Sequence, residues 1–175
     1  LKSLLADCPG KGSFVQNAPG SGEGYSEGIG YGMLAAVANG DRTTFDNLWK
    51  FYNANLDGYG LMNWKFNCNG ATSDGHGSAT DGDLDVAMAL VQATCKWGAS
   101  YSQPATDLIG RIKPELTKPG DSWTGTCVNP SYLSPGYYRA FAKFVSADLA
   151  FWSSAADNAY TTLNAVANTN TGLVP

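Results

Sequence analysis

The fold class is clearest in one segment, Asp81-Gly82-Asp83-Leu84-Asp85-Val86-Ala87-Met88-Ala89-Leu90-Val91. Beyond its acidic start, this segment places apolar side chains on nearly every face of a helix, which predicts a helix buried on all sides. The next segment, 103–116, is apolar on one face and charged on the other, which predicts an amphipathic partner helix. Its apolar face consists of Ala105, Leu108, Ile109, Ile112 and Leu116.

A similar pair of helices is predicted nearer the N-terminus. The run from Glu27 to Val37 has helical apolar spacing and stops at Asn39-Gly40, a typical helix end. A second helix follows at once, capped by Asp41 or Thr43. Its apolar stripe consists of Phe45, Leu48, Trp49 and Tyr52.

Two further helices, over 138–149 and 154–167, complete a set of six that are paired in αα-hairpins. The helices that begin at Glu27 and Asp81 look more buried than the helix that follows each of them. Inner helices alternating with outer ones are typical of a double-ring α/α barrel, although periodicity alone also permits an ordinary bundle. Residues 1–25 contain turn signals and little periodicity, so we expect an irregular N-terminal segment.

The composition favours one soluble domain. With 175 residues, 43% of them hydrophobic, the chain is long enough to bury a sizeable core. The chain has a net charge of −4 and only 11 Lys and Arg, so it does not carry the basic surface typical of proteins that bind nucleic acids or anionic membranes. Neither partner is expected. No apolar run approaches the roughly 18 residues of a membrane span, and the N-terminal residues do not show a basic segment followed by an apolar run, so we expect a mature, soluble protein.

Low charge and widely spaced cysteines point to an extracellular protein. Charged residues make up 15% of the chain, against about 25% in an average soluble protein, a balance typical of secreted polysaccharide-active enzymes. The four cysteines, Cys8, Cys68, Cys95 and Cys127, are spaced too widely for a zinc pair or a redox motif. Polar loop-like surroundings favour disulfides for Cys8, Cys68 and Cys127, whereas Cys95 lies on a predicted helix and could equally be a small buried residue. The pairing stays open.

Glu27 is the first candidate for chemistry, in Tyr25-Ser26-Glu27-Gly28-Ile29-Gly30-Tyr31-Gly32. One interpretation is structural: Ser26 caps the helix and Glu27 complements the helix dipole. The other is a general acid, which must stay protonated near neutral pH and therefore needs a raised pKa. Because the helix terminus lowers that pKa, burial beneath Tyr31 and a substrate, or a neighbouring carboxylate, has to outweigh it.

A second acidic cluster lies at Asp81, Asp83 and Asp85. Thr80 and Asp83 fit the spacing of a capping box, which explains part of the cluster without any function. An EF-hand is disfavoured, since Val86 replaces the required glycine and Gln92 replaces the bidentate glutamate. A carboxylate here could instead bind sugar hydroxyls and help to hold a distorted ring.

Aromatic residues in loops suggest a groove that stacks sugar rings. The long segment over 55–80, rich in Gly and Asn, is expected to form part of the site. The loop or junction aromatics are Trp64, Trp123, Tyr132, Tyr137 and Tyr138.

An esterase is the alternative enzyme class, because Gly24-Tyr25-Ser26-Glu27-Gly28 matches a G-x-S-x-G nucleophile motif. That motif requires a preceding strand, which the sequence before Gly24 does not favour. The single histidine, His76, lies in Asp74-Gly75-His76-Gly77, where a solvated loop residue is the better interpretation.

The clusters, taken in order, resemble glycoside hydrolase family 8, which includes endoglucanases, chitosanases, lichenases and xylanases. The matching motifs are Ser26-Glu27-Gly28-x-Gly30-Tyr31-Gly32-Met33, Leu61-Met62-Asn63-Trp64-Lys65, Ala79-Thr80-Asp81-Gly82-Asp83-Leu84-Asp85, Asn129-Pro130-Ser131-Tyr132 and Tyr138-Arg139-x-Phe141. The resemblance implies an (α/α)6 barrel and an inverting reaction without a metal or other cofactor.

The resemblance also implies roles for individual residues. Glu27 falls in the place of the general acid, Asp81 at the aspartate that distorts the substrate, and Tyr132 near the attacking water. The implied substrate-binding residues are Trp64, Trp123, Tyr31 and Arg139. The acid and the base of an inverting enzyme stand roughly 6.5 to 9.5 Å apart.

The family's usual base segment, of the type Tyr-Asp-Ala-x-Arg, has no match in this chain. About six helices are half of a twelve-helix barrel, and Gly172-Leu173-Val174-Pro175 resembles the middle of the family pattern. We therefore expect residues 1–175 to form the N-terminal half of one catalytic domain. Half a barrel would expose its buried helices, so a C-terminal chain of the same enzyme is the expected partner.

The expected activity is that of an endo-β-1,4-glycan hydrolase acting on cellulose-type glucan. A chitosanase or xylanase of the same family is the alternative substrate assignment. A carbohydrate-binding relic without a base is the alternative from another class.

Overall fold

The protein is described by a computed structural model over residues 2–117 and 130–174. The chain divides into two compact units, Leu1–Arg111 and Ile112–Pro175. The described residues form six α-helices and five short β-strands. None of these helices is long and apolar enough to cross a membrane. The assignment of residues 1–175 to one catalytic domain stays a prediction.

The N-terminal unit begins with a β-hairpin. Strand β1 (Leu5–Cys8) pairs antiparallel with β2 (Gly12–Val15). The buried ring of Phe14 lies 5.0 Å from that of Phe51 and 5.6 Å from that of Phe66. The expectation of an irregular N-terminal segment is therefore wrong for this part, because four-residue strands are too short to give a recognisable alternation and are fixed by distant contacts.

The first two helices follow the predicted pattern closely. Helix α1 (Ser26–Asn39) ends at Gly40, whose φ of 75° is the left-handed conformation that favours glycine. Helix α2 (Arg42–Asn53) is capped by Asp41, whose carboxylate accepts a hydrogen bond from the Thr44 N–H at 3.1 Å. Asp41, and not Thr43, is thus the cap. The buried residues of α2 are Phe45, Leu48, Phe51 and Tyr52.

A small sheet joins the residues just before α1 to the segment between α2 and the next helix. Strands β3 (Gly24–Tyr25), β4 (Lys65–Asn67) and β5 (Gly70–Ala71) pair antiparallel in that order. Gly24 is needed because an ideal Cβ there would lie 2.6 Å from the Val15 carbonyl oxygen. The predicted loop over 55–80 therefore contains short strands that attach it to the start of α1.

One disulfide joins the hairpin to this sheet. Cys8 of β1 is bonded to Cys68, which lies in the turn between β4 and β5, with a Cα–Cα distance of 5.3 Å. Cys95 is free and exposed. Cys127 lies outside the described residues. The expected disulfide is thus present, and the pairing left open by the sequence is Cys8 with Cys68.

Helices α3 (Thr80–Trp97) and α4 (Ser102–Ile112) form the second predicted pair. Helix α3 packs against α1 and buries residues on nearly all of its faces. Helix α4 buries the stripe expected of an amphipathic helix, which consists of Ala105, Leu108, Ile109 and Ile112. The greater burial predicted for α3 is confirmed.

The C-terminal unit contains α5 (Pro135–Phe144) and α6 (Leu149–Val166), which pack against each other. The Trp152 ring lies 5.7 Å from the Tyr138 ring and 5.2 Å from the Phe141 ring. The boundary predicted at residue 149 is wrong, because the chain turns at Ser146–Asp148 and Leu149 begins α6. The six helices predicted for an all-α chain are confirmed over the residues that the structure describes, which are mainly helical and also contain the five short strands.

Candidate active site

Helices α1 and α3 approach each other closely near their N-terminal ends, at Gly30 and Gly82. An ideal Cβ on Gly82 would lie 2.6 Å from Ser26 Oγ, and one on Gly30 would lie 2.5 Å from Asp85 Cβ. These distances are too short for carbon in van der Waals contact, so glycine at both positions is what allows the close approach. The first turns of two helices, each carrying a candidate carboxylate, are thereby brought together.

Glu27 and Asp81 form an acidic pair at this junction. Glu27 Oε2 accepts a hydrogen bond from Ser26 Oγ at 3.2 Å, and Asp81 Oδ1 accepts one from the Gly82 N–H at 2.9 Å. Burial, followed by the charge of Glu27, raises the pKa of Asp81 to about 6, although the Gly82 N–H acts in the opposite direction. A carboxylate beside Glu27, one of the two features that could support the general-acid interpretation, is therefore present.

Tyr31 and Asp85 surround the acidic pair. Tyr31 is 63% exposed, and its pKa is raised by partial burial and then by the charges of Asp85, Asp81 and Glu27. Asp85 is one helical turn beyond Asp81, so both carboxylates lie on the same side of α3. Asp85 is absent from the predicted site residues, and this i,i+4 spacing is the signal that identifies it.

Asp83 points away from the acidic pair. Its carboxyl is fully buried, and Oδ1 accepts hydrogen bonds from the Tyr52 hydroxyl at 2.5 Å and the Met62 N–H at 3.3 Å. Burial raises its pKa to about 7. The capping box predicted for Thr80 and Asp83 is therefore wrong: Ala79 precedes α3 without a side-chain cap, and Asp83 instead connects α3 to α2.

Trp64 is attached to the start of α1 through the backbone. The Ser26 N–H donates to the Trp64 carbonyl at 3.0 Å, and the Trp64 N–H donates to the Gly77 carbonyl at 2.8 Å. The Trp64 ring stacks on the Tyr25 ring with a centroid distance of 5.9 Å. Since Ser26 precedes Glu27, these bonds place Trp64 close to the acidic pair. Ser26 itself does not cap α1, because Tyr25 occupies the cap position and the Ser26 hydroxyl donates to Glu27.

Two of the other predicted site residues, Tyr132 and Arg139, belong to the C-terminal unit, which is described by itself. In this unit the Tyr132 carbonyl accepts a hydrogen bond from the Tyr138 hydroxyl at 2.7 Å, and Arg139 pairs with Asp157. Trp123 lies outside the described residues. The roles of all three residues stay predictions.

Two alternative chemistries gain no support from the described residues. The Ser26 side chain is buried and donates to Glu27, while His76 is exposed, so the two do not form a nucleophile and base. Across 2–117 and 130–174, no group of three or more His, Cys, Asp and Glu side chains is arranged to hold a metal ion. Asp83 faces the interior, away from Asp81, unlike consecutive ligands of an EF-hand.

Comparison with known proteins identifies the family. The model of the glycosyl hydrolases family 8 matches residues 11–175. The chain belongs to glycosyl hydrolase family 8. This membership confirms the resemblance inferred from the acidic and aromatic motifs.

Relatives in family 8 are longer than this chain. Endoglucanase 2 of Ruminiclostridium josui is 40% identical over 164 residues, which cover 86% of this chain and 35% of the relative. A β-glucanase of Niallia circulans is 31% identical over an alignment that covers 99% of this chain and 48% of the relative. The chain thus spans about half, or less, of the length of these family 8 relatives.

A solved family 8 structure has the same fold. The apo β-1,3-1,4-glucanase from Paenibacillus sp. X4 superposes with a TM-score of 0.81 at 29% identity, over 97% of this chain and 50% of that chain. The prediction that this chain supplies about half of the helices of an (α/α)6 barrel is confirmed.

Proposed function

We propose that this chain carries the acid side of an inverting endo-β-1,4-glycan hydrolase that acts on cellulose-type glucan. Family 8 membership supports the reaction class, and relatives named endoglucanase at 37–40% identity support the substrate class. The observation that carries the proposal is the acidic pair of Glu27 and Asp81 at the junction of α1 and α3.

The acidic pair can keep a proton available above the usual carboxyl range. Two interacting carboxyls share a proton, because ionising the second costs more than ionising the first. In the proposed reaction Glu27 delivers this proton to the leaving glycosidic oxygen. The Asp81 carboxylate then binds ring hydroxyls and holds the distorted sugar, while Tyr31 and Trp64 offer aromatic surface to the sugar faces.

The catalytic base is proposed to come from sequence that corresponds to the rest of the relatives' length, in the same polypeptide or in a separate C-terminal chain. An inverting enzyme needs a second carboxylate across the groove, with a water molecule between base and sugar. Tyr132 is proposed to lie near that water, and Trp123 and Arg139 to bind substrate. This arrangement is supported by the coverage of 35% and 50% in the relatives.

The acid assignment is tested with Glu27→Gln, Asp81→Asn and the control Glu23→Gln in the active protein. Cleavage of cellohexaose needs a proton on the leaving oxygen, whereas an aryl cellobioside with a good leaving group does not. Glu27→Gln should therefore cleave cellohexaose much more slowly than the wild type and cleave the aryl cellobioside at a similar rate. Asp81→Asn should slow both, because ring distortion serves both. If Glu27→Gln cleaves cellohexaose at the normal rate, the assignment is refuted. If only Asp81→Asn loses cleavage of cellohexaose while it keeps cleavage of the aryl cellobioside, the acid is Asp81.

The second half is tested by native mass spectrometry combined with an activity assay. A species of 18.4 kDa should bind glucan without turnover, and activity should coincide with a heavier assembly. A lone 18.4 kDa species with full turnover would refute the proposed division of acid and base.

Substrate choice is tested by comparing glucan, chitosan and xylan under identical conditions. Preferred release of reducing ends from glucan is expected. Preference for chitosan or xylan would reassign the substrate, and sugar binding without cleavage by the complete assembly would indicate a non-catalytic relic.

Secretion is proposed as well. The Cys8–Cys68 disulfide supports it, since disulfides persist mainly in oxidising compartments. Recovery of the protein from the culture medium of its source is the expected result, and recovery from the reduced cytosol alone would contradict it.

A further inference from the structure

The side chain of Asn63 joins two distant parts of the N-terminal unit. Asn63 is 8% exposed, its Nδ2 donates to the Asn55 carbonyl at 3.0 Å, and its Oδ1 accepts from the Gly77 N–H at 3.0 Å. The backbone N–H of Asn63 donates to the same Asn55 carbonyl, also at 3.0 Å. Because a buried amide uses a donor on one segment and an acceptor on the other, it fixes both segments relative to itself. Asn63 thus connects the residues that follow α2 to those that precede α3.

Gly77 is bonded on both of its backbone polar groups by consecutive residues. Its N–H donates to Asn63 Oδ1, and its carbonyl accepts the Trp64 N–H at 2.8 Å. Its φ of 88° lies in the left-handed region that favours glycine. The carbonyl that receives the Trp64 N–H is therefore held in place partly by the Asn63 side chain.

Trp64 passes this connection on to the start of α1. Its carbonyl accepts the Ser26 N–H at 3.0 Å, and Ser26 directly precedes Glu27. The Trp64 ring stacks on the Tyr25 ring at an interplanar angle of 7°. The backbone of Trp64 is thus bonded to Gly77 through its N–H and to α1 through its carbonyl. A displacement of Gly77 would move the Trp64 ring relative to the acidic pair.

Asn55 is a buried asparagine in the same region whose side chain makes no such connection. It is 4% exposed, and its Nδ2 donates to the Phe51 carbonyl, four residues earlier, at 2.8 Å. The bond that Asn55 offers to Asn63 comes from its backbone carbonyl, which remains when the side chain is shortened. Asn55→Ala is therefore a matched control: it removes a buried amide but leaves the bonds of Asn63, Gly77 and Trp64 in place.

We infer that Asn63 is a positioning residue for the reaction. By holding Gly77, it fixes the Trp64 ring beside the acidic pair, so that a sugar stacked on Trp64 is held in a constant relation to Glu27. Its effect on cleavage passes through Trp64. The role of the Trp64 ring as a sugar contact rests on the proposed function, whereas the hold of Asn63 on Trp64 rests on the hydrogen bonds of the two residues with Gly77.

The hold on the ring is tested by ¹⁹F NMR of the active protein labelled with 5-fluorotryptophan. The Trp64 signal is assigned by its absence from Trp64→Phe, and the other tryptophan signals report whether each variant is folded. Asn63→Ala should shift or broaden the Trp64 signal without any sugar present, because the Gly77 N–H loses its partner. Asn63→Ser, which is too short to reach both partners, replaces it if Asn63→Ala does not fold.

Asn55→Ala should leave the Trp64 signal at its wild-type position. If Asn63→Ala and Asn63→Ser also leave that signal unchanged, the inference is overturned, whatever the rate of hydrolysis.

The link to cleavage is tested by a double-mutant cycle on the KM for cellohexaose. Trp64→Ala should raise KM by about 3- to 10-fold, the range expected for loss of one aromatic contact. Asn63→Ala should raise KM by about 2- to 10-fold when Trp64 is present, and should have no further effect in Trp64→Ala because it acts through that ring. Asn55→Ala should keep KM within about twofold of the wild type. Effects of Asn63→Ala and Trp64→Ala that multiply in the double variant would overturn the inference.

The outcomes separate this inference from the proposed function. If Trp64→Ala has the KM of the wild type while Asn63→Ala moves the Trp64 signal, the hold on the ring stands and the proposed sugar contact fails. If Glu27→Gln hydrolyses cellohexaose at the normal rate while the cycle shows coupling, the acid assignment fails and the positioning role of Asn63 stands.

Discussion

Ser26 and Gly82 are in direct contact across α1 and α3, so close that a methyl group on Gly82 would come within 2.6 Å of Ser26 Oγ and 2.8 Å of the Ser26 carbonyl carbon. Each residue is a direct chain neighbour of one member of the acidic pair. The absence of a side chain at Gly82 therefore sets how closely Glu27 and Asp81 approach each other. The site depends on this packing contact as much as on the carboxyls themselves.

Gly82→Ala should destabilise the fold and disturb the acidic pair. The added methyl group meets backbone atoms as well as a hydroxyl, so rotation of one side chain cannot relieve the overlap, and the cost should be about 1–3 kcal/mol. Urea unfolding measures this loss. Gly110→Ala is the matched control, because nothing lies within 4 Å of its Cβ position in α4. It should stabilise by about 0.5–1 kcal/mol. Equal stability of the two variants would contradict the contact.

Glu27→Gln should lower the pKa of Asp81. The charge of Glu27 is the second cause, after burial, of the raised pKa of about 6. Glu27→Gln removes the charge but leaves Asp81 buried, so the pKa of Asp81 should fall but stay above the ordinary value of 3.8. Carboxyl ¹³C NMR titration measures the change. Glu23→Gln, outside the pair, should leave the pKa unchanged; an unchanged value in Glu27→Gln would show that the two carboxyls do not interact.

Periodicity and motif spacing predicted the parts of the fold and site that depend on local sequence. The alternation of more buried and less buried helices follows from apolar patterns within each helix, so α1 to α4 could be predicted. That Glu27 and Asp81 share one site was implied by the resemblance to family 8 and not by periodicity. Asp85 could have been added, since residues four apart share a helix face.

The remaining features depend on contacts between distant segments. The hairpin of β1 and β2 is held by Phe14 against Phe51 and Phe66 and by the Cys8–Cys68 disulfide, none of which has a local signature. The capping box failed for a related reason. The spacing alone allowed Asp83 to cap its own helix. In the structure its carboxyl instead accepts a hydrogen bond from the hydroxyl of Tyr52, on another helix.

Asp83→Asn should flatten the dependence of stability on pH. The pKa of Asp83 is raised from 3.8 to about 7 in the fold, so the folded state binds its proton more tightly than the unfolded chain does. The associated stability is fully present below pH 3.8 and is lost as the pH rises to about 7, a change of about 4 kcal/mol. Urea unfolding across this range should show a steep decline in the wild type.

The decline should be much smaller in Asp83→Asn. A smaller slope up to about pH 6 should persist, because Asp81 also has a raised pKa and contributes with the same sign. Asp81→Asn is the converse control and should keep the larger decline. Identical slopes in the wild type and Asp83→Asn would rule out Asp83 as the titrating group.

Replacing Cys8 and Cys68 with Ser should destabilise the hairpin end of the N-terminal unit. The disulfide closes a loop with a sequence separation of 60, for which the chain-entropy estimate is about 4 kcal/mol. Cys95→Ser, at the exposed free cysteine, is the control and should leave stability within about 0.5 kcal/mol of the wild type. The bond joins β1 to the turn after β4 and not α1 to α3. Amide exchange should therefore rise first in β1 and β2, while the helix starts that carry Glu27 and Asp81 stay protected; faster exchange at α1 and α3 first would contradict this separation.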